Sequence, residues 1–226
     1  MKLVIFDCDG TLVDSQHVIV ASMIEAFAAE GLVAPHRESI LGVVGLSLDI
    51  AVARLVPPAS DLDVVDRIAE SYKAAFGARR RRPDHAEPLY DGIRDTLERL
   101  AARSDVVLGI ATGKSRRGVD ALLAREGLAS LFSTIQTADT NPSKPHPSMV
   151  LTAMDETGID AGDAVMIGDT SFDIEMAAAA GVLPVGVSWG YHPAEELWQS
   201  GAFAVAKDCA ELESILETFL KIRSTA

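Results

Sequence analysis

Two cysteines, Cys8 and Cys209, are all that the 226 residues contain. A pair of thiols cannot build a disulfide framework, and their spacing fits no cysteine metal site. Basic charge is short as well. Twenty Lys and Arg stand against 33 Asp and Glu, a net charge of −13. That balance speaks against a nucleic-acid or anionic-membrane partner, since both need a basic footprint. It leaves an anionic substrate open, because a few local cations outweigh the global field at short range. No stretch approaches the roughly 18 uninterrupted apolar residues of a membrane span. The opening apolar run, residues 3–6, is cut at Asp7 and is no h-region of a secretory signal. A reduced, cytoplasmic home is the expectation. Internal repeats and low-complexity tracts are lacking too.

What is present is ordinary globular material, 48% hydrophobic and 23% charged, enough to offset ordering entropy. Residues 3–6 form a continuous apolar run stopped by Asp9-Gly10, the pattern of a strand buried on both faces. Residues 106–111 (VVLGIA), 164–168 (AVMIG) and 183–187 (LPVGV) repeat it, and residues 134–137 suit a short edge strand. Helical spacing fills the intervals, with Ile93, Leu97 and Leu100 on one face of residues 92–103. Residues 119–128 and 149–157 read the same way. Alternation of this kind predicts an α/β fold with a parallel sheet covered by helices on both faces. Residues 15–85 break the rhythm. Val18, Ile19, Met23, Ile24 and Phe27 make a helical stripe, and residues 48–56 and 64–76 two further helices, with Ser47 and Asp63 as N-caps. No strand pattern interrupts them. This predicts a helical insertion over residues 15–85 within a core made of 1–14 and 86–226, with Arg79 to Arg82 at its return edge.

Ligands of open parallel sheets collect beyond the carboxyl ends of the strands. There the sequence places Asp7, Asp9, Gly10 and Thr11, then Thr112, Gly113 and Lys114, then Asp169 and Asp173, with Lys144 in the segment Asn141-Pro142-Ser143-Lys144-Pro145. Asp7 and Asp169, if adjacent, offer the hard oxygens that suit Mg²⁺. Such an ion offsets repulsion between a carboxylate nucleophile and a phosphoryl group, and Lys144 adds a fixed positive charge. Thr112 and Gly113 can donate hydrogen bonds to phosphate oxygens, and Asp9 can act as general acid and then base.

Asp7-Cys8-Asp9-Gly10-Thr11 resembles the first signature of the haloacid dehalogenase superfamily. Thr112 resembles its second motif, Lys144-Pro145 its third, and Gly168-Asp169 with Asp173 its fourth, in the right order and at strand ends. The helical insertion resembles the cap of the phosphoglycolate phosphatase and β-phosphoglucomutase branch. Residues 12–15, 45–48 and 189–191 resemble its phosphoglycolate phosphatase side. The resemblance implies a Rossmann-like core and a phosphatase in which Asp7 forms an aspartyl-phosphate and Asp9 serves the leaving oxygen and then water. It implies Mg²⁺ held by the Asp7 carboxylate, the Asp9 carbonyl and Asp169, and phosphate held by Thr112, Gly113 and Lys144. Asp173 is implied to support the metal or Lys144; an N-cap for a helix over 174–180 is its other reading. A small phosphorylated metabolite, 2-phosphoglycolate first, is the implied substrate, for a monomer or homodimer.

The rivals rank lower. Mutases of this branch carry a His near the position of Ile19 and basic cap residues, and residues 42–49 have none. Dehalogenases lack an acid at the position of Asp9. Pyrophosphatase activity stays open, and a non-catalytic relative would have lost motif residues that this chain keeps. Cys8 reads as a buried spacer and His146 as a solvated turn residue. Lys114, Arg116 and Arg117 either reach a substrate carboxylate or open a solvated helix.

Overall fold

The computed structural model describes residues 1–58, 61–80 and 87–221. Six parallel strands form one sheet in the order β3-β2-β1-β4-β5-β6. They are β1 (Lys2–Phe6), β2 (Val106–Thr112), β3 (Phe132–Thr137), β4 (Ala164–Gly168), β5 (Leu183–Val187) and β6 (Ala204–Ala206). The apolar runs end within a residue or two of the predicted limits. The strand at 132–137 is an edge strand, as its mixed composition suggested, and β6 was not foreseen.

Side-chain alternation along β1 explains the two-sided core. Val4 and Phe6 join a cluster on one face with Ile93, Leu97, Val119, Leu123 and Leu216. Leu3 and Ile5 point the other way, into Met149, Val150, Ala153, Met176 and Ala177. The first face is therefore covered by α5 (Ile93–Ala101), α6 (Arg116–Glu126) and α10 (Cys209–Lys221), the second by α7 (Ser148–Thr157) and α8 (Ser171–Ala179). A short α9 (Ala194–Gln199) packs Leu197 against Ile174 beside β5. Full burial of each such aliphatic side chain is worth about 1.5–3 kcal/mol, which fixes the register of β1 between its neighbours.

Between β1 and β2 lie α1 (Gln16–Ala29), α2 (Arg37–Leu41), α3 (Leu48–Leu55) and α4 (Leu62–Arg80). They share a separate apolar cluster in which Ile19, Met23 and Phe27 of α1 meet Ile40, Val52 and Ile68. Two details differ from expectation. Helix α4 begins at Leu62, so Asp63 sits inside its first turn rather than at its cap, and the five-residue α2 had no clear periodicity to announce it. Ser47 is the N-cap residue of α3 by position, without a side-chain capping bond. The outgoing and returning chains run side by side. Asp14 N–H donates to Pro88 O at 2.9 Å and Tyr90 N–H to Leu12 O at 3.0 Å, with Val13 opposite Leu89 in antiparallel pairing. Of the expected return edge, Arg79 and Arg80 end α4, while Arg81, Arg82 and the boundary at 85/86 lie outside the described residues.

Candidate active site

Three neighbouring strands deliver the key side chains to one end of the sheet. Asp7 follows β1, Thr112 ends β2 on one side, and Asp169 follows β4 on the other. After Asp7 the chain turns at once, with the N–H groups of Leu12 and Val13 both donating to Cys8 O, at 2.8 and 3.0 Å. Gly10 makes the turn possible. Its φ of 88° is left-handed, and a Cβ there would lie 2.1 Å from Asp169 Oδ2.

Asp169 is held from three directions. Thr11 Oγ1 donates to its Oδ1 at 2.9 Å, and the Tyr191 N–H donates to its Oδ2 at 2.8 Å. Gly190 passes so close that a Cβ would fall 2.2 Å from the Asp169 Cβ. The Trp189 indole donates to Thr11 O at 3.1 Å, locking residues 189–191 against the loop after β1.

Lys144 arrives from the segment between β3 and α7, and its ammonium is buried. It stands 2.6 Å from Asp173 Oδ1 and 2.9 Å from Asp7 Oδ1. Asp173 is the third residue of α8, not its cap. Thr170 is the cap, and Asp173 Oδ2 accepts from its N–H at 3.1 Å and its hydroxyl at 2.7 Å in a capping box. The expected N-cap role of Asp173 therefore does not hold, because the helix starts at Ser171; its side chain instead braces the cap residue Thr170 and meets Lys144.

The carboxylates of Asp7, Asp169 and Asp173 approach one another within 4.8 Å, all buried. Lys144 answers one of the three charges. Burial pushes the Asp7 carboxyl up to about 6, against the pull of Lys144 and with the help of Asp173. Burial also raises Asp169 well above the usual carboxylate range, reinforced by Asp173 and Asp7. Burial works against the charge on Lys144, but Asp173 and Asp7 more than offset it, and the ammonium stays protonated. Asp7 Oδ1 is ion-paired with Lys144, and beyond that ion pair neither Asp7 oxygen has a partner in hydrogen-bond geometry among the described residues. Three buried carboxylates that share one ammonium carry an excess of negative charge, which a divalent cation would satisfy. The residues present therefore fit a hard metal ion.

Asp9 lies apart from this trio. Its Oδ1 accepts from Lys114 Nζ at 2.7 Å and from Ser15 Oγ at 2.6 Å, and Ser15 in turn meets the Tyr191 hydroxyl at 3.0 Å. Lys114 also donates to the buried Glu87 at 2.9 Å, and Glu87 takes Arg80 Nε at 3.0 Å. Lys114 is thus neither a free substrate hook nor a solvated helix residue. It is buried, and the carboxylates around it more than offset the effect of burial on its charge. The sequence did not reveal this network, because Asp9, Glu87 and Lys114 come from three distant segments. Arg116 and Arg117 are exposed, as one reading had it, and so is His146. Cys8 is fully buried, and burial raises its thiol out of the reactive range.

Thr112 is buried, with its Oγ1 accepting from the Lys114 N–H at 3.2 Å. Gly113 lies under the helical layer. A Cβ on it would fall 2.5 Å from Gly45 O and 2.7 Å from Leu46 O, so only glycine lets the loop between α2 and α3 descend this far. The same loop is fastened by the Ser47 N–H, which donates to Ser143 Oγ at 2.9 Å.

Comparison with known proteins agrees with this geometry. Residues 4–187 match the model of the haloacid dehalogenase-like hydrolases. The chain is 32% identical over 225 residues to "Probable phosphatase IndB" of Dickeya dadantii, covering 99% of this chain and 96% of that protein. It is also 32% identical to the phosphoglycolate phosphatase of Pseudomonas putida, over 84% of this chain and 71% of that one. A crystal structure of "a predicted phosphatase from Clostridium acetobutylicum" superposes with a TM-score of 0.84 at 27% identity, covering 96% of this chain and 98% of that one. The motif-bearing loops and the sheet that carries them agree with these matches: the chain belongs to the haloacid dehalogenase-like hydrolase family and is a phosphatase.

Proposed function

We propose that this phosphatase is a Mg²⁺-dependent phosphomonoester hydrolase working through an aspartyl-phosphate on Asp7. The observation that supports it most is the buried group of Asp7, Asp169 and Asp173 facing one ammonium, an excess of negative charge in one place. Asp7, Asp169 and the Asp9 carbonyl would hold the ion, with Asp173 fixing Lys144. When bound, Mg²⁺ would screen the phosphoryl oxygens from the carboxylates around them.

The protein's own groups then account for each transfer. An Asp7 oxygen forms a bond to phosphorus as the ester P–O bond breaks. The departing alkoxide takes a proton from Asp9. Water next attacks phosphorus, gives its proton to Asp9, and the Asp7–phosphorus bond breaks to release phosphate. Thr112, the Gly113 N–H and Lys144 would hold the phosphoryl oxygens through both steps. Ser15 and Lys114 keep Asp9 aimed.

We read residues 15–85 as a cap that moves against the core formed by 1–14 and 86–226, with the bridged segments around Val13 and Leu89 as the hinge. No helix among the described residues is long and apolar enough to cross a membrane, and we place the enzyme in the cytoplasm. The substrate class is a small phosphorylated metabolite, and the names of the relatives make 2-phosphoglycolate the first to assay. Asp7→Asn is expected to abolish Mg²⁺-dependent phosphate release while leaving the fold intact. Turnover retained in that variant would remove the nucleophile.

A further inference from the structure

A cavity of about 460 Å³ runs from Asp7, Asp9, Thr112 and Gly113 up between the helices. That volume lies in the range of about 300–1,000 Å³ that encloses a drug-sized molecule. A phosphoryl group with a two-carbon acid would fill only its floor. The upper walls are apolar: Ile19 and Met23 from α1, Ile40 from α2, Val44 from the following loop, and Tyr72 and Phe76 from α4. The rings of Tyr72 and Phe76 lie 5.6 Å apart at 32°, forming one aromatic wall.

The charges along this cavity do not suit the carboxylate of a glycolate. Lys114 is shared by Asp9 and Glu87, and Arg80 is paired with Glu87. Lys73 is exposed and paired with Glu70 at 2.7 Å. Arg117 has no partner among the described residues, but it stands in the exposed first turn of α6, where water screens it. Asp139 adds a negative charge to the wall. A carboxylate drawn into the upper cavity would lose its hydration and meet no uncommitted buried cation. One polar handle is free there: the Tyr72 hydroxyl has no hydrogen-bond partner among the described residues.

We infer that the upper cavity is a leaving-group site for a ring-sized, mainly apolar alcohol carrying at most one hydrogen-bonding group, seated against Tyr72 and Phe76, rather than for glycolate. This rests on the phosphomonoesterase reading, and it narrows the substrate class within it. Burial of one ring is enough for a preference of about tenfold or more.

The test compares three unactivated phosphomonoesters with Mg²⁺ present: ethyl phosphate, 2-phenylethyl phosphate and 2-phosphoglycolate. The expected kcat/KM for 2-phenylethyl phosphate exceeds both others by at least about tenfold. Phe76→Ala is expected to bring the ratio of phenylethyl to ethyl toward one. Calorimetry on Asp7→Asn is expected to show the same order of affinities without turnover. A phenylethyl advantage below tenfold, or one unmoved by Phe76→Ala, overturns the leaving-group site while phosphate release from phosphoglycolate keeps the phosphatase reading. Release from none of the three overturns both.

Discussion

Replacing Lys114 with Met isolates the buried network that the motifs did not announce. The side chain lies between Asp9 Oδ1 at 2.7 Å and Glu87 Oε1 at 2.9 Å, and the Glu87 side chain has no solvent exposure. Removing one partner of a buried ion pair costs roughly 3–5 kcal/mol, because the other charge stays behind. Here Glu87 keeps Arg80 Nε at 3.0 Å and Arg125 Nη1 at 3.8 Å. Asp9, the more exposed carboxylate, keeps Ser15. The cost should therefore fall near the lower bound, about 2–3 kcal/mol, or a loss of roughly 4–12 °C in Tm for a chain of this size. Neutralising the buried acid that has lost its ammonium tests the cause. Glu87→Gln in the Lys114→Met background should restore at least about half of the loss, although Glu87→Gln alone destabilises. Thermal and urea unfolding of the four proteins at pH 7 form the cycle. The two changes adding independently would refute the buried-charge argument. So would a loss under about 0.5 kcal/mol for Lys114→Met, the level of an ordinary surface substitution. Activity should not follow stability, because the double variant still leaves Asp9 without its ammonium.

Two further outcomes follow from the site. Asp7, raised to about 6 by burial in the metal-free site, binds a proton more tightly than it does in the unfolded chain, so metal-free stability declines as pH rises from about 4 through 6. On the proposed reading, Mg²⁺ bound at Asp7 would have to displace that proton. Its affinity should fall by up to about tenfold per pH unit below 6, and the thermal shift between Mg²⁺ and chelator should be smaller at pH 5 than at pH 7.5. Equal shifts would count against Asp7 as a ligand. Gly113→Ala inserts a Cβ 2.5 Å from Gly45 O, which is backbone and cannot swing aside. It should hold the loop between α2 and α3 off the core and lower kcat/KM by at least about tenfold with little change in Tm, as steady-state kinetics and melting would show.

How much of this was readable beforehand depended on range. Residues 3–6 and 164–168 announced β1 and β4 because a strand buried on both faces has no polar positions. Those ends placed Asp7, Thr112 and Asp169 at one edge of the sheet, and the strand order β2-β1-β4 sets them side by side. Residues 204–206 gave no such signal, being three residues at the far edge of the sheet. Asp63 looked like a cap because Asp favours caps, but Leu62 already lies in the helix and tertiary packing decided the boundary. The partners of Asp9 were hidden for a different reason. Lys114 follows a recognisable motif, yet its fate was set by Glu87, a residue with no pattern around it.

The three adjacent strands have one more consequence. Asp7, Thr112 and Asp169 owe their spacing to a ladder in which Phe6 sits opposite both Ile110 and Ile167. Strand separation, about 4.8 Å, is thus the gauge that sets how far apart these three side chains stand. Exchanging one buried aliphatic for another leaves that gauge alone. Deleting a single residue within β1 would shift every later one to the opposite face, turning Asp7 out of line although each chemical group were still present. Length changes should be confined to the surface loops, and the stretches of chain leading into the three carboxyl ends should keep their count of residues even where their identities drift.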